Sequence, residues 1–121
     1  MKIIGGPASQ LLSGRVAREL EQELLVSEFK KFPDGELYTR VIDELTGAVI
    51  IIQSIVTDSD LVALLQLIDA SCEASSITVV LPYMGYARQD KKFREGEPIS
   101  GRAIARAVKA DSVYTIKIGR A

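Results

Sequence analysis

The chain contains no histidine and no tryptophan, and Cys72 is its single cysteine. Without histidine, the most frequent general base of nucleophilic triads and the most frequent zinc ligand are both missing. A single cysteine excludes an internal disulfide. With no imidazole to activate its thiol, Cys72 reads as a packing residue on the apolar face of a predicted helix, not as a nucleophile. No apolar run reaches the roughly 20 residues that a membrane-spanning helix requires, and residues 1–6 are too short an apolar start for a signal peptide. The expectation is a cytoplasmic protein with no membrane partner. Repeats, low-complexity tracts and Pro/Ser-rich linkers are also absent.

What is present fits one compact domain over residues 1–121, with 47% hydrophobic residues to fill a core. A net charge of −1 argues against a general polyanion binder, so no nucleic acid partner is expected. The charge is unevenly placed, however. Residues 88–109 carry seven Lys/Arg against three Asp/Glu. A basic segment on a near-neutral domain suits a small phosphorylated ligand.

The pattern alternates strands and helices. Residues 2–4 form a short apolar strand closed by the turn cluster Gly5-Gly6-Pro7. Ser9 is placed to cap a helix running to about Glu23, with Leu12, Val16 and Leu20 on one face. Residues 24–28 read as extended, residues 32–36 as a loop, and residues 37–42 as a strand. The run Val49-Ile50-Ile51-Ile52 is apolar and β-branched without alternation, as in a strand covered on both faces. Thr57, Asp58, Ser59 and Asp60 open a helix to about Ala74, their acids suiting its positive end. A second central strand, residues 77–81, stops at Pro82. A polar loop follows over residues 83–98. Ser100 then caps a helix predicted to turn Ala103, Ile104, Ala107 and Val108 inward, and residues 113–118 form a last strand. This order predicts a three-layer α/β domain, with a mostly parallel central sheet and helices on both faces. Ligands of such sheets bind beyond the carboxyl ends of the strands.

Two loops carry residue types suited to chemistry. Tyr86-Ala87-Arg88-Gln89-Asp90-Lys91-Lys92 packs three cations, an amide and an acid into its last five positions. Arg88 has a planar fork for a base or for phosphate oxygens, and the lysines supply compact charge. A plain solvated loop has the same composition. Phe32-Pro33-Asp34-Gly35-Glu36 sets an aromatic beside a rigid turn, with Asp34 and Glu36 as acceptors. Such a group can stack on a purine and bind its amino group. Equally, Phe32 can be core and Asp34-Gly35 a simple turn.

Phe32-Pro33-Asp34-Gly35-Glu36, Asp58-Ser59-Asp60-Leu61, Pro82-Tyr83-Met84-Gly85-Tyr86-Ala87-Arg88-Gln89-Asp90-Lys91-Lys92-Phe93 and Gly96-Glu97-Pro98-Ile99-Ser100 together resemble the ribose-phosphate pyrophosphokinase family. Their order and spacing match along the whole chain. The resemblance implies the N-terminal half of a tandem pair of phosphoribosyltransferase-like domains. It implies transfer of the β,γ-diphosphate of MgATP to the anomeric hydroxyl of ribose 5-phosphate, giving phosphoribosyl pyrophosphate and AMP. It further implies a homo-oligomer with ATP at a subunit interface. Phe32, Asp34 and Glu36 of one subunit would cradle adenine, and Arg88 and Gln89 of another would contact the nucleotide, with Asp90 and Lys91 extending that segment. The magnesium ion would come with the ATP.

The sequence departs from the family pattern in three places. The second domain, with the ribose-phosphate and pyrophosphate loops, is absent from these 121 residues. Gly119 stands where the family has a histidine that helps hold magnesium, and Lys117 replaces the polar residue before it. Ala63 stands where glutamate is common. The leading expectation is therefore a truncated ATP-side half that is inactive alone, with no catalytic or metal-binding residue of its own. Two alternatives are one half of a two-chain enzyme and a non-catalytic subunit that joins full-length homologues. All three expect exposed apolar surface and self-association.

Overall fold

A computed structural model describes residues 1–116. Its ten elements are β1 (Lys2–Gly5), α1 (Gln10–Glu19), β2 (Glu23–Leu24), β3 (Ser27–Lys31), β4 (Leu37–Val41), β5 (Ala48–Ile52), α2 (Asp58–Ala70), β6 (Ser76–Leu81), α3 (Ser100–Ala107) and β7 (Ser112–Thr115). Five strands form a parallel sheet in the order β2-β1-β5-β6-β7, and β3 and β4 pair as a separate antiparallel hairpin. The α/β expectation holds: the central sheet is parallel throughout.

The apolar run of β5 lies in the middle of the sheet, with Ile50 opposite Ile3 and Ile51 opposite both Ile4 and Val79. Because strand side chains alternate, the run feeds two cores. Ile4, Val49, Ile51, Val79 and Leu81 pack with Leu64 and Leu67 of α2. Ile3 and Ile52 pack with Ala17 of α1 on the opposite face. Helices therefore cover both faces, as expected.

The two main helices reach the sheet differently. α2 buries Ala63, Leu64 and Leu67 and starts with a capping box: Thr57 Oγ1 accepts from Asp60 N at 3.2 Å, and Asp60 Oδ2 accepts from Thr57 N at 3.0 Å. α1 instead buries Ser13 and Ala17, while Leu12 and Leu20 are 41% and 46% exposed. Leu12 and Leu20 thus turn away from the sheet, and of the shared face only Val16 packs against the core formed by Ile3, Ala17 and Ile52. A Cβ on Gly5 would lie 2.6 Å from Ser13 Oγ, so α1 runs against the β1 backbone and only small side chains fit between. Ser9 occupies the N-cap position of α1, but its side chain makes no capping hydrogen bond. Its hydroxyl accepts from Ser54 N at 2.9 Å and so joins the ends of β1 and β5.

Other boundaries also move. α1 ends at Glu19, because Glu21 has φ 52° and Glu23 already belongs to β2. α2 ends at Ala70, so Cys72 lies past the helix and is exposed. The buried neighbour is Ser71, whose hydroxyl donates to Leu67 O at 2.8 Å. In α3, Ser100 is the first helical residue and makes no cap, Ala103 and Ala107 are exposed, and Ile104 and Val108 alone of the four expected residues turn toward the core. β7 is itself mostly exposed. The last strand is described only to Thr115, and Lys117 and Gly119 fall outside the described residues.

Candidate functional site

The segment 32–36 is the tip of the β3–β4 hairpin. It closes on itself: Phe32 N donates to Glu36 O at 2.8 Å, Gly35 N donates to Phe32 O at 2.8 Å, and Asp34 Oδ1 accepts from Glu36 N at 3.1 Å. Gly35 sits at φ 94°, a region that residues with a Cβ rarely adopt. Phe32 is not a core residue. It is 44% exposed and meets Tyr38 edge-on, with ring centroids 5.8 Å apart.

The basic segment leaves β6 and is held by distant parts of the chain. Ile55 N donates to Tyr83 O, and Gly85 N donates to Ile55 O, each at 2.8 Å. A Cβ on Gly85 would stand 2.7 Å from that Ile55 oxygen, so this approach requires glycine. Tyr86 follows in a left-handed conformation, φ 70°, and its hydroxyl donates to Asp58 Oδ1 in the first turn of α2. That carboxylate holds the Tyr86 phenol above its ordinary range, through the hydrogen bond first and through charge second. Gln89 N donates to Tyr86 O, and Gly101 N of α3 donates to Gln89 O, both at 2.9 Å. Further on, Glu97 Oε1 accepts from Phe93 N and Arg94 N, at 3.1 and 2.6 Å.

Arg88, Gln89, Asp90 and Lys91 are all exposed. The Lys91 ammonium lies 5.4 Å from the Phe93 ring centre. The Arg88 guanidinium makes no ion pair with another described residue.

Both candidate segments converge on the start of α2. Lys31, next to Phe32, donates from Nζ to Ser59 Oγ at 3.1 Å, while Tyr86, two residues before Arg88, reaches the adjacent Asp58. No side-chain hydrogen bond or ion pair links Phe32, Asp34 or Glu36 to Arg88, Gln89 or Lys91 among the described residues. One chain therefore sets the two segments beside the same helical turn without joining their ligand-type side chains.

Comparison with known proteins shows the family. A family profile described as the N-terminal domain of ribose phosphate pyrophosphokinase matches residues 1–111. The chain belongs to the ribose-phosphate pyrophosphokinase family. It is 63% identical over 119 residues to the ribose-phosphate pyrophosphokinase of Methanosarcina mazei, covering 98% of this chain and 40% of that protein. The Methanosarcina acetivorans enzyme of the same name is 64% identical over 119 residues, covering 98% of this chain and 42% of that one. The crystal structure of phosphoribosylpyrophosphate synthetase from Mycobacterium smegmatis superposes with a TM-score of 0.77 at 29% identity, over 96% of this chain and 42% of that one. The chain thus spans about 40% of the length of these pyrophosphokinases.

Ala63 is fully buried on the inner face of α2, beside Leu64 and Leu67. Among the described residues no group of three or more acids, histidines or cysteines stands ready for a metal ion. Of the acids nearest the two segments, Asp58 is engaged by Tyr86 and Asp60 by the capping box. The described residues therefore do not build a cage for magnesium, which commonly keeps several waters and binds through phosphates. Among the described residues, too, no helix is long and apolar enough to cross a membrane.

Sequence reasoning singled out Arg88 and Phe32 but not the contacts beside them, Lys31 to Ser59 and Tyr86 to Asp58. Asp58 was visible only as an acid at a helix start. Nothing local distinguishes it from Asp60, which takes the capping role.

Proposed function

We propose that this domain supplies the adenine-nucleotide side of a ribose-phosphate pyrophosphokinase. Phe32 offers a stacking face, and Asp34 and Glu36 offer acceptors to the adenine amino group. Arg88 and Gln89 bind the nucleotide from a second subunit of a homo-oligomer, with Asp90 and Lys91 continuing that surface. The observation that carries this reading is that Phe32 and Arg88 stand exposed on segments whose backbones are tightly fixed. A merely solvated loop has no need of such fixing. Magnesium, when bound with ATP, neutralises phosphate charge; the chain's own part is to position the base and add cationic charge.

Ribose 5-phosphate is bound, in this reading, by the part of the relatives that this chain does not span. The 121-residue chain is then expected to bind MgATP by calorimetry and to form no phosphoribosyl pyrophosphate in a cytoplasm-like buffer. Turnover by this chain alone would overturn that division of labour. Arg88→Ala is expected to weaken binding more than Arg106→Ala, and equal losses would refute the site.

A second reading, an assembly role, is favoured by one observation. Leu11, Leu12 and Leu20 of α1 and its end are 76%, 41% and 46% exposed. Such a surface suits a partner chain bearing the part of the relatives that this chain does not span, a full-length homologue or another copy. Light scattering at high concentration should show self-association, and a strict monomer would count against this reading.

A further inference from the structure

We infer that the first turn of α2 sets the shape of the basic loop through Tyr86, whose hydroxyl docks on Asp58, and that both are positioning residues for Arg88. The nucleotide consequence rests on the function proposed above; the positioning itself does not.

Four observations converge on this role. Tyr86 is one of two non-glycine residues with positive φ among those described, so its backbone sits where a side chain is disfavoured. Something must hold it there. The hydroxyl contact to Asp58 is the side-chain anchor at that point. The Tyr86 carbonyl then receives Gln89 N, and the Gln89 carbonyl receives Gly101 N, so the segment 86–89 is strung between the starts of α2 and α3. A Cβ on Gly101 would lie 3.0 Å from Tyr86 O and 3.2 Å from Gln89 O, which leaves the turn little room to move toward α3. Finally, the anchor is itself fixed. Gln53 is fully buried at the end of β5, where its side-chain amide donates to Asp60 O at 3.2 Å and its oxygen accepts from Ala8 N at 3.1 Å. The start of α2 is thereby tied to the sheet. Asp58 is free for this work because Thr57 and Asp60 satisfy the helix end between them.

The positioning has a pH signature. The bond to Asp58 raises the Tyr86 phenol above its ordinary value of 10.0. A folded-state value raised in this way means that the contact is intact at neutral pH, below the unfolded value. It is lost as pH climbs through the folded value and a phenolate faces the carboxylate.

The test compares the full chain with Tyr86→Phe, Asp58→Ala and Asp58→Asn. Residue-resolved amide exchange is followed at Ala87, Gln89 and Gly101. Several-fold faster exchange is expected for Tyr86→Phe and Asp58→Ala, no further increase in their double variant, and partial rescue by Asp58→Asn, which keeps an acceptor oxygen. Unchanged exchange in Tyr86→Phe, or additive effects in the double variant, would overturn the proposal. MgATP affinity is then expected to fall about 3- to 10-fold in Tyr86→Phe, the loss of one hydrogen bond to a charged group shared between ordering and binding. Faster exchange with undiminished MgATP affinity would also overturn it. If the unaltered chain binds no MgATP, or Arg88→Ala binds as well as the parent, the proposed function fails instead, and exchange alone decides the positioning.

Discussion

The hairpin tip and the basic loop present ligand-type side chains in opposite ways. The tip at residues 32–36 is fixed from within, through two backbone hydrogen bonds, one to the Asp34 side chain, and the positive φ of Gly35. The loop after β6 is fixed from outside, by Ile55, Asp58 and Gly101, which lie 12 to 30 residues away along the chain. A self-closed turn tolerates change elsewhere in the domain. An externally strung loop inherits every movement of α2 and α3. In this chain the hairpin tip is held locally, and the basic loop is held by tertiary contacts.

The contrast can be broken in several ways. The largest expected effect is on ligand binding: Arg88→Ala should cost roughly 10- to 100-fold in MgATP affinity, the scale of a charge-assisted hydrogen bond to phosphate. Arg106→Ala, on α3, should cost less than about 2-fold, since an exposed charge of that kind contributes little. Calorimetry on both variants decides this.

Next comes Gly85→Ala, which forces a Cβ against Ile55 O and should destabilise the fold by about 1–3 kcal/mol in urea melts. It should also weaken MgATP binding, because the loop base must shift. Full stability in this variant would show that the loop is not strung as described.

Phe32→Ala should leave the urea midpoint nearly unchanged, because the ring is 44% exposed, yet remove about 1–2 kcal/mol of ATP binding by loss of stacking. Inorganic pyrophosphate should bind this variant as well as it binds the parent. Equal weakening of both ligands would place Phe32 outside the base site.

The smallest effect is expected for Gly35→Ala. Nothing lies within 4 Å of the new Cβ, so the cost is the backbone conformation alone, about 1–2 kcal/mol. Amide exchange should change in the hairpin and not at Gln89. Spread to Gln89 would mean that the two segments are coupled after all.

Much of the fold was legible because it follows from local pattern. The apolar run of β5, the Pro82 stop after β6 and the Thr57–Asp60 helix start all appear where the sequence predicts them. The errors share one cause. Leu12 and Leu20 have helical spacing, but spacing names a face without saying which way it turns. The close approach of α1 to Gly5 turned Ser13 and Ala17 inward instead. Cys72 and Ser71 are neighbours of similar size, and α2 ends four residues earlier than its pattern predicts, with the thiol exposed and the hydroxyl buried. At the candidate site, the residue types of Arg88 and Phe32 were readable because charge and ring area belong to the residue. Their supports were not, since Asp58 and Ser59 acquire meaning only when Tyr86 and Lys31 arrive from 28 residues away.

The sequence by itself determined the family, the parallel α/β architecture and the two segments carrying ligand-type chemistry. Those properties reside in composition, alternation and motif order. The tertiary structure decided which faces were buried, which acid capped α2 and which acid held Tyr86, and that both segments meet one helical turn. Such choices depend on how closely distant backbones approach, and a close approach is set by packing the whole chain at once.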